Sequence, residues 1–212
     1  MLRKAQREAI LAKLEARYHG RKTALHYNSP FELLVAVILS AQCTDERVNV
    51  ITARLFPRLN TPEKMGALTQ KEMEAEIRDC GLYHAKAKNL LATCHMLVER
   101  FNSTIPGDIK TLMELPGVGQ KTANVIASII FNIPALAVDT HVFRVSHRLG
   151  LAKGSDPLAT EAELEKIIPR AKWGDAHHWF IWHGREICKA RKPLCGECML
   201  LEECPYKEKV IK

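Results

Sequence analysis

One nine-residue stretch, Leu115-Pro116-Gly117-Val118-Gly119-Gln120-Lys121-Thr122-Ala123, constrains this chain more than any other. An amphipathic run carrying Ile109, Leu112 and Met113 enters it, and an apolar-rich run carrying Val125, Ile126, Ile129 and Ile130 leaves it. Pro116 cannot continue a helix, and Gly117 and Gly119 permit φ > 0, which side chains disfavour. The stretch therefore predicts helix, tight hairpin, helix over about 108–131. Two glycines also let backbone N–H groups approach a phosphate closely, and the following helix N-terminus adds partial positive charge. Taken alone, the same stretch is equally an ordinary connection between two packed helices.

The rest of the chain is punctuated as helices. Residues 3–18 place Ile10, Leu11 and Leu14 on one face. Ser29-Pro30 and Thr61-Pro62 each read as an N-cap followed by proline at the first helical position. Thr44 or Asp45 caps a helix to about Leu55, and Asp108 caps the one entering the hairpin. Thr69 with Glu72, and Thr160 with Glu163, have the spacing of capping boxes; the first of these helices should stop near Gly81. Long helices are expected over 83–101, with Lys86 and Lys88 in its first turns, from Asp139 to Leu149, and from Asp175 to about Ile187. No β alternation persists, so the fold class is all-α, with ten or eleven helices.

At 212 residues the chain can bury a proper core as one domain or two small ones. Its 47% hydrophobic and 26% charged content exclude a disordered chain. The net charge of +7 favours a polyanionic partner without proving one. Met1–Arg7 has no apolar leader, and Leu33–Leu39 is too short to cross a bilayer. A cytoplasmic protein with no membrane partner is the expectation.

Two side chains stand out for chemistry. A lysine is nucleophilic only as the free amine, and its ordinary pKa is about 10.4. Lys121 falls in the first turn of a helix, where the positive end of the dipole opposes a second positive charge. With partial burial, this is where a reactive lysine would be prepared; a phosphate-binding lysine would also be useful there. Asp139, in Val138-Asp139-Thr140-His141, reads as an N-cap and also as an anion able to stabilise a cationic transition state. His141 is placed either to touch a phosphate or to pack on the adjoining helix.

Gln42, between two helices, offers an amide to a base edge or is simply a loop residue. Leu82, at the turn before a long helix, is either a wedge for a base stack or a hydrophobic staple. His177, His178 and His183 contain no i, i+4 pair, which argues against zinc, and Trp179 and Trp182 read as core.

Cys188, Cys195, Cys198 and Cys204 crowd into C-x6-C-x2-C-x5-C, in a chain with no export signal. That points to a metal centre rather than disulfides. With only one short knuckle, the run suits a cuboidal [4Fe–4S] cluster better than zinc, which spacing alone leaves open. Lys189, Arg191 and Lys192 lie in the first gap, as a pinned phosphate-contacting loop or a solvated one. Cys43, Cys80 and Cys94 read as buried small hydrophobes.

Five motifs together resemble the endonuclease III family of bifunctional DNA glycosylases and AP lyases of base-excision repair. They are SAQCTD at 40–45, GLYHAKAKN at 81–89, LPGVGQKTANVI at 115–126, VDTH at 138–141 and the cysteine run. The resemblance implies a six-helix barrel domain over 22–132 containing the helix-hairpin-helix. It further implies a cluster domain built from 1–21 and 133–212, with the iron-sulfur loop at 188–204 and a DNA-binding cleft between the two.

It makes Lys121 the nucleophile and Asp139 the essential carboxylate. Gly117, Val118 and Gly119 would grip the DNA backbone, while Gln42 and Leu82 would fill the gap left by a flipped nucleotide. The four cysteines would hold a [4Fe–4S] cluster. The implied partner is double-stranded DNA with oxidised pyrimidines or abasic sites, bound by a monomer. Gln120 stands where some relatives have arginine, which removes a phosphate contact. The related adenine-specific glycosylases fit less well, lacking a lysine at this position and carrying a further C-terminal domain, whereas this sequence runs eight residues past Cys204. A non-catalytic DNA-binding module is the alternative from another class.

Overall fold

Seven of the eleven α-helices among the described residues start on a side-chain oxygen that accepts a first-turn amide. The computed structural model describes residues 2–211 and, among them, eleven α-helices and two short 3₁₀ turns, with no strand. In chain order the helices are α1 (Lys4–Tyr18), α2 (Pro30–Leu39), α3 (Asp45–Leu55), α4 (Pro62–Gly66), α5 (Gln70–Glu76) and α6 (Tyr83–Phe101). There follow α7 (Ile109–Leu112), α8 (Gln120–Phe131), α9 (Thr140–Arg148), α10 (Pro157–Glu165) and α11 (Trp173–Glu186). Ser29, Thr44, Thr61, Thr69, Asp108 and Asp139 each accept a hydrogen bond from a first-turn amide, satisfying donors that have no intrahelical partner.

The chain divides into two compact units, Ala24–Phe131 and the pair Met1–Thr23 with Asn132–Lys212. In the first, α2 is the central element: every residue from Phe31 to Leu39 is buried, and it packs against α3, α6 and α8. Burying each large aliphatic side chain contributes roughly 1.5–3 kcal/mol, so a fully buried run makes α2 the helix on which the unit depends. Its one charged residue, Glu32, is satisfied by accepting the Asn28 N–H at 2.5 Å. The second unit joins α1 to α9 and α11 around Ile10, Leu14, Tyr18, Val142, Val145, Trp179 and Phe180.

Several expectations need correcting. The helix from Thr69 ends at Glu76 and continues only as turns towards Gly81. Thr160 caps nothing: it is buried inside α10, whose cap is Asp156. Glu163 instead turns back to accept the Lys153 and Gly154 amides at 2.6 and 3.1 Å. Asp175 is the third residue of α11 rather than its cap. Trp182 is only half-buried; its Nε1–H donates to Lys22 O at 3.0 Å, and Arg21 lies 4.8 Å over its ring. Cys43 is half-buried, whereas Cys80 and Cys94 are buried as expected.

Candidate nucleic-acid site and cysteine centre

The hairpin forms between α7 and α8. Gly117 has φ +81°, and a Cβ there would meet Asn89 Nδ2 at 2.9 Å, so glycine is required both by the backbone and by the space. Gly119 differs from expectation. Its φ is not in the left-handed region, and a Cβ would meet nothing within 4 Å. Its bareness leaves open space beside the first amides of α8. Two side chains of α6 brace the turn from beneath: Thr93 Oγ1 donates to Pro116 O at 2.8 Å, and Asn89 backs Gly117. Lys121, second residue of α8, is exposed rather than partly buried. The Val118 side chain is buried, so that residue offers a ligand only its backbone. Gln120 donates to Asn124 Oδ1 at 2.8 Å.

Gln42 and Leu82 share an unusual backbone state. Both are non-glycine residues in the left-handed region, at φ 55° and 60°. Each such residue costs about 1–2 kcal/mol. Their loops touch, since a Cβ on Gly81 would lie 3.3 Å from Gln42 O. Leu82 is 57% exposed, which rules out the staple, and Gln42 is exposed as well. An exposed leucine and an exposed amide are thus held side by side in strained conformations.

In the other unit, Asp139 caps α9: Oδ1 accepts the Val142 N–H at 2.8 Å, and the residue is half-buried. His141 packs against Gly184 of α11, where a Cβ would lie 3.0 Å from its Nδ1, and Arg144 Nη2 is 3.2 Å from the same nitrogen. Behind this segment His177 Nδ1 bonds Ala137 O at 2.7 Å. Burial, reinforced by the neighbouring His177, pushes the His178 pKa down to about 3.

All four cysteines of the run line one common cavity, with Arg148, Leu149, His183 and Tyr206 among its other walls. They are free thiols, and burial pushes Cys198 and Cys204 up from their ordinary values. Among the described residues no three His, Cys, Asp or Glu side chains close around a single ion. Arg148 caps the loop between the first two cysteines, donating to Lys189 O at 2.7 Å and Ala190 O at 3.0 Å, with Nη1 3.6 Å from Cys188 Sγ. Arg144 donates to Cys188 O at 3.1 Å. Lys189, Arg191 and Lys192 are exposed on that loop, Lys192 at φ 50°.

Comparison with known proteins settles the affiliation. Residues 35–170 match the HhH-GPD superfamily of base excision DNA repair proteins, and residues 188–204 match the iron-sulfur binding domain of endonuclease III. Endonuclease III of Haemophilus influenzae is 46% identical over 209 residues, 99% of either chain. That of Rickettsia conorii is 51% identical over 185 residues, 87% of this chain and 88% of the relative. The chain belongs to the endonuclease III family. Two solved structures, a trapped endonuclease III–DNA covalent intermediate and a non-covalent endonuclease III–DNA complex, each match with a TM-score of 0.93 at 47% identity. Both matches cover 97% of this chain, with 97% and 96% of the solved chains. A thermostable thymine-DNA glycosylase at 22% identity shares the fold, with a TM-score of 0.84. Membership makes the protein a base-excision-repair enzyme with DNA glycosylase and AP lyase activity.

The family carries a [4Fe–4S] cluster, and the thiols here fit that group. A lone zinc would need every sulfur about 2.3 Å from one centre. A cuboidal cluster takes one thiolate per iron, so its four sulfurs do not converge on one point; here all four thiols line one cavity, and among the described residues no three close round a single ion. Burial disfavours the thiolate at Cys198 and Cys204, and iron bound there would supply positive charge. Sequence reasoning missed Arg144 and Arg148, which tie the cysteine loop to α9. They precede Cys188 by 44 and 40 residues, so no local pattern links them to the run. It also missed Asn89 and Thr93, which nothing local distinguishes from ordinary helix surface.

Proposed function

We propose that the enzyme excises oxidised pyrimidines from duplex DNA, with Lys121 as nucleophile and Asp139 as the carboxylate that stabilises the reacting sugar. The observation that carries this is the setting of Lys121: an exposed amine one residue into α8, directly after a hairpin whose backbone is bare of side chains at Gly119. Support comes also from the trapped covalent DNA intermediate of its structural relative.

In this mechanism the hairpin amides and Lys189, Arg191 and Lys192 bind the DNA backbone, a salt-sensitive interaction. A damaged pyrimidine is extruded more cheaply than a sound one. Leu82 and Gln42 enter the stack and fill the space it leaves. The Lys121 amine forms a bond to C1′ as the glycosidic C–N bond breaks, and the base departs with the electron pair. Asp139 stabilises the positive charge that develops on the sugar. Opening of the sugar ring gives the imine at C1′. Loss of the C2′ proton then expels the 3′ phosphate oxygen, and hydrolysis of the imine returns the free lysine. The cluster, when bound, supplies a rigid frame for the cationic loop and takes no part in bond breaking. The enzyme acts as a monomer on chromosomal DNA in the cytoplasm.

Borohydride reduction on a thymine-glycol duplex tests the assignment. The wild type should yield a covalent protein–DNA adduct; Lys121→Gln should yield none while still binding DNA. A Lys121→Gln protein that still traps refutes the role of Lys121. A wild type that binds and never traps reduces the protein to a binding module.

A further inference from the structure

Beneath the two exposed loops lies a buried amine that the chemistry above does not use. Lys86, in the first turn of α6, is only 4% exposed. Its Nζ donates to Leu39 O at 2.8 Å and to Cys80 Sγ at 3.0 Å, and Cys80 Sγ in turn donates to Leu39 O at 3.3 Å. Leu39 is the last residue of α2, so its carbonyl is an orphan acceptor. The amide that would normally reach it, Cys43 N–H, bonds to Ser40 O instead, at 3.2 Å. One lysine therefore ties the end of the most buried helix to the chain that leads into Leu82.

The chain distances are short on both sides. Leu39 stands three residues before Gln42, and Cys80 stands two before Leu82. The Cys43 thiol, next to Gln42, is a hydrogen-bond neighbour of Cys80. Both intruding residues hold left-handed conformations that side chains avoid, which persist only where their surroundings over-determine them. A buried amine is a costly way to fill space unless its bonds are needed.

We infer that Lys86, with Cys80, is a positioning residue that holds the Gln42 and Leu82 loops in register for entry into DNA. The inference rests on the proposed intruding role of those two residues. Removing the amine would leave the Leu39 carbonyl dependent on one weak thiol donor and release the two loops from each other. Misplacement by about an ångström far from the reacting atoms is enough to slow a reaction by roughly 100-fold.

The test is a stopped-flow measurement on a thymine-glycol duplex with 2-aminopurine beside the lesion, whose fluorescence rises on destacking, together with single-turnover base excision. Gln42→Ala and Leu82→Ala should each reduce the destacking amplitude. Lys86→Met, which keeps the aliphatic stem, should slow destacking and excision on the order of 10- to 100-fold with DNA affinity, melting temperature and iron content close to wild type. Cys80→Val should fall in the same direction, and Cys80→Ser, which keeps a hydroxyl partner for the amine, should stay within about threefold of wild type, as expected if the polar contact rather than packing matters. If Lys86→Met does not fold, the Cys80 pair decides alone: equal destacking rates in Cys80→Val and Cys80→Ser overturn the inference. A folded Lys86→Met with wild-type destacking, in the presence of defective Leu82→Ala, overturns it as well. Wild-type destacking in both Gln42→Ala and Leu82→Ala refutes the intruding reading itself, and the positioning role with it.

Discussion

Replacing Gly117 and Gly119 by alanine, one at a time, should have opposite consequences. At Gly117 the backbone sits at φ +81°, where an L side chain costs about 1–2 kcal/mol. The new Cβ would also press on Asn89, 2.9 Å from Nδ2 and 3.0 Å from Cβ, adding overpacking of about 1–3 kcal/mol. The smaller flexibility of alanine in the unfolded chain returns about 0.4–1 kcal/mol. Gly117→Ala should therefore lower stability by about 1–5 kcal/mol, with the middle of the range at about 3 kcal/mol. Gly119 has neither a left-handed backbone nor a neighbour within 4 Å, so only the unfolded-state effect remains and Gly119→Ala should be neutral or up to about 1 kcal/mol more stable.

Binding should order the pair differently. If a DNA phosphate occupies the open space at Gly119, a methyl group there displaces charge-assisted N–H bonds worth about 1.5–3 kcal/mol, or roughly 10- to 100-fold in Kd. Urea unfolding gives the first quantity, and anisotropy with a tetrahydrofuran-containing duplex gives the second. Pairing Gly117→Ala with Asn89→Ala should recover the steric share and leave the backbone share. A Gly119→Ala protein with wild-type DNA affinity refutes the cradle; a Gly117→Ala protein as stable as Gly119→Ala refutes the strain argument.

Asp139→Asn should keep the cap, since asparagine also caps well, yet lose base release; Asp139→Ala should in addition cost about 1 kcal/mol in urea unfolding. Neutralising Lys189, Arg191 or Lys192 to Gln should each reduce the slope of log K against log salt by about 0.9 for every DNA phosphate left without its cation, read from binding at several salt concentrations. His178, with a folded pKa of about 3 against 6.5, is neutral in the native state, while the unfolded chain takes up a proton between those values. Its contribution is thus full above pH 6.5 and lost progressively as pH falls towards 3, and His178→Gln should flatten the pH dependence of urea stability over that window. Iron and acid-labile sulfide should each measure about four per chain, and Cys195→Ser should lower both; stoichiometric zinc without sulfide would exclude the cluster.

The elements legible in sequence were those whose signals are local. Ser29, Thr44, Thr61, Thr69, Asp108 and Asp139 cap their helices because a short oxygen side chain reaches an amide two or three residues on, whatever the rest of the fold does. Thr160 with Glu163 matched the same spacing and misled, because Asp156-Pro157 just upstream is a stronger start, and Glu163 finds better donors in the 153–154 turn. Of the candidate site, Lys121, Asp139 and the cysteines stood out in the sequence because their residue types announce chemistry, and the roles proposed for them rest on that and on the family. Lys86 was readable only as a lysine on a helix. Its burial follows from Leu39 and Cys80, and the bond to Leu39 spans 47 residues, which no local pattern encodes. The left-handed states of Gln42 and Leu82 were likewise hidden, since neither residue type favours them.

One unit of this protein is continuous in sequence, Ala24–Phe131, while the other is assembled from both ends of the chain. A ribosome therefore completes the continuous unit first. Helix α1 emerges before it, yet Ile10, Leu14 and Tyr18 meet α11 only when residues up to Glu186 have been made. At typical synthesis rates α1 waits roughly ten to thirty seconds with its apolar face uncovered. The cysteines come later still, so no metal site can form before them, and a chain stalled before Cys188 would hold a finished hairpin with no cationic loop to accompany it.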